Sequence, residues 1–153
     1  MFKLNKDREK VDLSLPSKFG YEKVAMAASA IIAEGIGLPL EKIEDLKTAI
    51  SEACINAIEH GNKMQVDKKV TVLFGISESK LTVDVLDEGE GSVFHITEKS
   101  ELTSKLEGKE SPRGLGLFLI KSLMDEAEFL PGRDGSQLRM VIYLKQEKTV
   151  NDS

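Results

Sequence analysis

Between residues 41 and 61, apolar side chains recur at three- and four-residue steps: Ile43, Leu46, Ala49, Ile50, Ala53, Cys54, Ala57 and Ile58. A pattern of that length and regularity draws one apolar stripe along a helix, and the stripe has to be buried against something. Gly61-Asn62 reads as its C-terminal stop. A second helical pattern over residues 18–35 is carried by Tyr21, Val24, Ala25, Ala28, Ile31 and Ile32 and is closed by Gly35 and Gly37. The remaining apolar residues mostly alternate. Val11, Leu13 and Leu15 share one face of a short strand that Pro16 ends. Val70, Val72, Phe74 and Ile76 share a face of the next, and Leu81, Val83 and Val85 a face of a third, with Ser77-Glu78-Ser79 making a hairpin of those two. Residues 116–124 read as a helix, with Phe118, Leu119, Leu123 and Met124 apolar. Strands over 126–130 and 137–144, joined by the turn Pro131-Gly132-Arg133-Asp134-Gly135, close the chain ahead of a polar tail after Gln146.

The order β-α-α-β-β-loop-α-β-β, with hairpin-linked strands, predicts a mostly antiparallel sheet with helices on one face. That is a two-layer α+β sandwich. The 153 residues suit one domain, residues 1–153, with its core between about 10 and 145. Residues 92–112 lack sustained periodicity and are rich in Ser, Thr, Lys and Glu, so a mobile loop is expected there, with a short helix near 98–106. Flanking glycines make residues 92–113 a candidate lid.

Composition narrows the partners. There is no tryptophan, the net charge is −5 and no stretch is strongly basic, which argues against direct nucleic-acid binding and against an anionic membrane. No apolar run reaches the ~18 residues of a membrane span, and no secretory pattern follows Met1, so a cytoplasmic location is expected. Cys54, the one cysteine, lies in the helical stripe and reads as a small core residue. His60 and His95 stand apart from other metal-binding side chains and make no zinc pattern.

Three segments carry chemistry. On the long helix, Glu52 and Asn56 are four residues apart and share a face that His60 continues, read as a polar face opposite the Ala53/Ala57 stripe. A carboxylate there can act as a base, and the Asn56 amide oxygen suits Mg²⁺, which prefers hard oxygens alongside phosphate. The plain alternative is a solvated helix face. Asp87-Glu88-Gly89-Glu90-Gly91 follows a strand. A carboxylate at a strand end can accept a hydrogen bond from an exocyclic amine such as that of adenine, while glycines let a flat base approach the backbone. The alternative is a glycine-rich turn. Arg113-Gly114-Leu115-Gly116 leads into a helix. Glycines there free backbone N–H groups to face phosphate at a helix N-terminus, and Arg113 offers a charged fork. The alternative is again a simple turn. No Gly-Lys-Ser/Thr follows, so it is not a Walker A loop, and the flanking order is not that of a Rossmann unit.

Taken in order, the three segments resemble the boxes of the GHKL (Bergerat-fold) ATPases, the superfamily of gyrase B, MutL and the histidine kinases. The asparagine box resembles Glu52-Ala53-Cys54-Ile55-Asn56-Ala57-Ile58-Glu59-His60-Gly61, the Asp-x-Gly-x-Gly box resembles Asp87 to Gly91, and the lid-and-helix box resembles Gly114-Leu115-Gly116-Leu117. Within the superfamily the chain is most similar to the bacterial anti-sigma factor serine/threonine kinases, on Ile43–Cys54 and Gly114–Glu126. A histidine kinase would need an upstream phospho-accepting hairpin, and gyrase-like or MutL-like proteins further domains.

The resemblance implies ATP and Mg²⁺ as ligands, and a kinase that holds a sigma factor and phosphorylates an anti-anti-sigma protein on Ser or Thr. By motif position, Glu52 would be the catalytic base or its orienter and Asn56 the Mg²⁺ ligand. Asp87 would take the adenine amine, with Gly89 and Gly91 beside the base. Gly114, Leu115 and Gly116 would form the phosphate-side hinge with Arg113 beside it, and Ser136 would stand near the adenine, where the family often has Thr. A non-catalytic, ATP-gated sequestering module is the competing function, and a regulator in a phosphatase-based switch a third. The Val11–Leu15 strand, if an edge, would pair with a second copy in a homodimer.

Overall fold

Alternating apolar residues on five short strands become continuous rows when the strands pair in register. The computed structural model describes residues 8–89, 113–132 and 134–144. Its strands are β1 (Glu9–Pro16), β2 (Lys69–Ile76), β3 (Lys80–Leu86), β4 (Glu126–Gly132) and β5 (Gly135–Tyr143). They form one sheet in the order β1-β2-β3-β5-β4, with every neighbouring pair antiparallel. One row crosses all five strands as Leu13, Val72, Val85, Leu138 and Phe129, and the next as Val11, Phe74, Val83, Met140 and Ala127. On the other face, Asp84 stands opposite Arg139. The guanidinium donates to both carboxylate oxygens at 2.9 and 3.1 Å, a two-pronged pair that pins β3 against β5.

Three α-helices cover the apolar rows: α1 (Glu22–Gly35), α2 (Leu40–Asn56) and α3 (Arg113–Leu123). The stripe of α2 supplies Leu46, Ala49, Ile50, Ala53 and Cys54 to the same core as Val70, Val72, Phe74, Val83 and Met140. This is the expected α+β sandwich. Among the described residues, no helix is long and apolar enough to cross a membrane. The expected loop at 92–112, its short helix, Gly91 and the polar tail lie outside the described residues.

Four local readings are corrected. The first helix begins at Glu22, after a turn, and not at residue 18. The long helix changes pitch: Ala57–Gly61 is a π-helical turn, in which the Asn62 N–H reaches back to the Ala57 carbonyl at 2.8 Å. Such single wide turns recur at functional sites. The last hairpin is tighter than the five-residue turn expected, because β4 runs through Pro131 to Gly132 and β5 starts at Gly135. Proline signalled a turn, but β4 is an edge strand, where the missing N–H costs no ladder bond. Finally, α3 begins at Arg113, so Gly114-Leu115-Gly116 is the first turn of the helix and not a loop before it.

Cys54 is fully buried, as its place in the stripe requires. Burial pushes its thiol from 9.0 up to about 12, with a smaller push from the Glu22 carboxylate. The folded state therefore keeps the thiol proton where the unfolded chain loses it. Stability linked to this group is complete below pH 9 and is lost as pH rises toward 12. Urea midpoints measured across that window should fall more steeply for the native sequence than for Cys54→Ala. Equal slopes would mean that the thiol is not held in the core.

Candidate functional site

Asp87 is the residue that follows β3, and three segments converge on it. Its own N–H donates to the Ser136 carbonyl at 3.0 Å, continuing the β3–β5 ladder by one step. Its Oδ1 accepts from the Ser136 N–H at 3.1 Å and from the Gly89 N–H at 2.9 Å. Two backbone donors on one oxygen fix the plane of the carboxylate. The packing leaves no room for side chains around it. A Cβ on Gly61 would run into the Asp87 carboxylate, and one on Gly135 would strike the Asp87 carbonyl. Gly135 also has φ +140, a backbone that residues with a side chain rarely adopt. Both glycines read locally as stop and turn signals; only the fold reveals that they are there to let backbone approach Asp87.

Across from Asp87 stands α2. Ala53, Asn56 and Ala57 of α2 and its π turn, Val85 and Leu138 of the sheet, and Ser136 line a shared cleft with it. Asn56 was expected on a polar face opposite the Ala53/Ala57 stripe. It is instead buried, at 8% exposure, between those alanines and α3. Its Nδ2 has no hydrogen-bond partner among the described residues. A buried amide left unpaired costs about 1–3 kcal/mol, and such groups persist where a ligand or a function supplies the missing partner. Glu52 lies one turn earlier and is half-buried.

The first turn of α3 closes the cleft. A Cβ on Gly116 would come 3.0 Å from Glu52 Oε2 and 3.2 Å from Asn56 Nδ2, so only a glycine passes here without a shift. Leu117 enters the same cleft. What remains is a cavity of about 20 Å³, room for about one water. The N–H groups of a helix's first turn have no intrahelical partners, so this end of α3 offers free backbone donors beside the residues of α2. A larger cavity, about 480 Å³, opens by the β4 edge. It mixes Lys121 and Arg139 with Asp125, Glu126 and Glu128, and none of the motif residues reach it.

Five of the residues expected at a site are therefore brought together: Glu52, Asn56, Asp87, Gly116 and Ser136, with Gly89 bonded to Asp87. Arg113, Gly114 and Leu115 form the start of α3 ahead of Gly116, and Gly91 lies outside the described residues. Leu117, the last residue of the lid-and-helix box, lines the cleft as well, and so does Phe129, which carries no sequence signal beyond apolarity. The described residues hold no cluster of His, Cys, Asp and Glu able to bind a metal alone. Among the described residues, the unpaired atom of Asn56 is its amide nitrogen, a donor; the amide oxygen is the atom that would meet a hard cation, and only with further oxygens brought by a bound ligand.

Residues 19–142 match the model of the histidine kinase-like ATPase domain family. The serine-protein kinase RsbW of Bacillus cereus (strain ATCC 10987 / NRS 248) is 32% identical over 148 residues, covering 94% of this chain and 91% of that protein. The RsbW of Bacillus mycoides (strain KBAB4) is 33% identical over the same length, with the same coverage. Among solved structures, that of the RsbU and RsbW domains of a Mycobacterium tuberculosis protein superposes with a TM-score of 0.65 over 94% of this chain, at 19% identity. This chain spans 35% of that one, and the likeness is one of fold. On the family match, the relatives and the geometry together, the chain belongs to the histidine kinase-like (GHKL) ATPase family, among the RsbW-type serine-protein kinases.

Proposed function

We propose that the protein is an ATP- and Mg²⁺-dependent serine/threonine-protein kinase that acts as a cytoplasmic anti-sigma factor, holding a sigma factor and phosphorylating an anti-anti-sigma protein. The observation that carries this reading is the buried Nδ2 of Asn56, without a partner among the described residues, one helical turn from Glu52 in the cleft that Asp87 shares. Its similarity to the RsbW serine-protein kinases supports the reaction class and the type of partner. We take residues 1–153 as one catalytic domain with a lid near 92–113. We also take β1, an edge of the sheet, as the strand that pairs two copies in a homodimer.

In this reading each residue has one task. Asp87, its Oδ1 held by two backbone N–H groups, accepts a hydrogen bond from the adenine amine, with Gly89, Gly91 and Ser136 beside the base. Guanine presents a carbonyl at that position and leaves two acceptors facing each other. Asn56 turns its amide oxygen to the metal. Mg²⁺, when bound, neutralises charge on the phosphate oxygens. The N–H groups at the start of α3, from Arg113 through Gly116, donate to phosphate, and the Arg113 side chain adds charge. Phosphoryl transfer asks for little else than positioning and a group to take the hydroxyl proton. Glu52 is the carboxylate on the correct face of α2 to take it.

Two substitutions separate these roles. Glu52→Gln should keep ATP binding and partner binding and slow radiolabelled phosphate transfer to the anti-anti-sigma partner by about 10²-fold or more, the usual scale for a general base. Transfer at the native rate would remove Glu52 from the reaction. No transfer by the native protein to any partner it captures would leave an ATP-gated sequestering module.

Asn56→Ala should abolish Mg²⁺-dependent ATP binding in calorimetry. It should do so without loss of melting temperature, because the change removes a buried amide nitrogen that has no partner among the described residues. Unchanged affinity would take Asn56 out of the site.

A further inference from the structure

Six residues beyond Asn56 lies a second buried asparagine, with the opposite character. Asn62 is fully buried and its amide is tied on three sides. Nδ2 donates to Ser17 Oγ at 2.6 Å and to the Lys69 carbonyl at 3.0 Å, and Oδ1 accepts from the Glu88 N–H at 2.7 Å. The Ser17 hydroxyl proton is itself engaged, with the Lys68 carbonyl at 2.8 Å. Two acceptors therefore face the nitrogen and one donor faces the oxygen, which fixes the orientation of the amide. The backbone it holds is costly. Lys63 and Met64 follow with φ of 52 and 61, a left-handed conformation that side chains disfavour.

The third of those bonds reaches the site. The Glu88 N–H belongs to the peptide unit directly after the Asp87 side chain. On the other flank of the same turn, the Glu88 carboxylate accepts from the Lys69 N–H. Gly61, the residue before Asn62, packs its Cα against the Asp87 carboxylate with no space for a Cβ. One side chain at the end of α2 thereby holds both the peptide plane after Asp87 and the backbone wall beside its carboxylate.

We infer that Asn62 is a positioning residue for base selection: it aims the Asp87 carboxylate into the cleft and touches no ligand itself. The inference rests on the nucleotide reading above. It differs from a merely structural role in what it predicts. Loosening the Asp87–Gly89 turn harms recognition of the base and leaves the phosphate side, on α3, untouched. Asn62→Asp would not substitute, since its second carboxylate oxygen would face the Lys69 carbonyl.

The test is calorimetry on the full chain, below the melting temperature, with the Mg²⁺ complexes of ATP, GTP and inorganic tripolyphosphate. Asn62→Ala should weaken ATP about tenfold, toward GTP, while tripolyphosphate stays within about twofold of the native value. Ser17→Ala removes one acceptor at the far side of the amide and is milder. It should shift the ATP-to-GTP ratio the same way by about threefold, and it decides the matter if Asn62→Ala does not fold. A folded variant with the native ATP-to-GTP ratio overturns the inference. So does a parallel loss for all three ligands, which marks Asn62 as structural only. If the native protein binds ATP and GTP alike, the nucleotide reading falls, and this inference with it.

Discussion

A helix that ends inside a protein leaves carbonyl groups facing apolar neighbours, and α2 ends directly over the sheet. The structure meets that constraint by widening the helix at Ala57–Gly61, where the Asn62 N–H reaches the Ala57 carbonyl and the Met64 N–H the Ile58 carbonyl, and it anchors that end through the buried Asn62 side chain. That single group joins the end of the helix to the segment after β1, the first residue of β2 and the segment after β3. Much else follows from the closure. Gly61 arrives against Asp87, β3 is continued into a turn with its backbone satisfied, and the apolar row through Val85, Leu138 and Phe129 lines the cleft.

The two asparagines on this helix end illustrate how burial distinguishes purpose. Asn62 has every donor engaged, and removal of the amide would leave partners unpaired. Asn56 is buried with its Nδ2 unanswered, an arrangement that lowers stability as the chain stands. A residue type alone says neither. The number of hydrogen bonds each amide makes separates the one that holds the fold from the one that waits for something to hold.

Period-two and helical patterning made the sheet and α2 readable from sequence, because along β2 the fully buried Val70, Val72, Phe74 and Ile76 alternate with half-buried Thr71, Leu73 and Gly75. The boxes around Glu52, Asn56 and Asp87 were likewise legible, since their spacing survives without any coordinates. What was not legible depends on distant pairing. Asn62 looked like a stop signal because its partners at Ser17 and Glu88 lie 45 and 26 residues away. Pro131 looked like a turn because nothing local announces an edge strand. Asn56 looked solvent-facing because helical periodicity cannot foresee that α3, more than fifty residues later, lies over it.

The seat of Gly116 and Leu117 against α2 has a thermodynamic meaning. Gly116 and Leu117 occupy one side of the cleft, so if entry of a ligand required α3 to shift, apparent affinity would be the intrinsic affinity scaled by the shifted fraction. Each 1.4 kcal/mol or so that holds α3 down weakens entry about tenfold, with every contact to the ligand unchanged. By reciprocity, a surface that grips the exposed side of α3, where Phe118 stands out, would alter occupancy of the cleft as strongly as occupancy alters that grip. In that case affinity would be adjustable from residues that never meet the ligand.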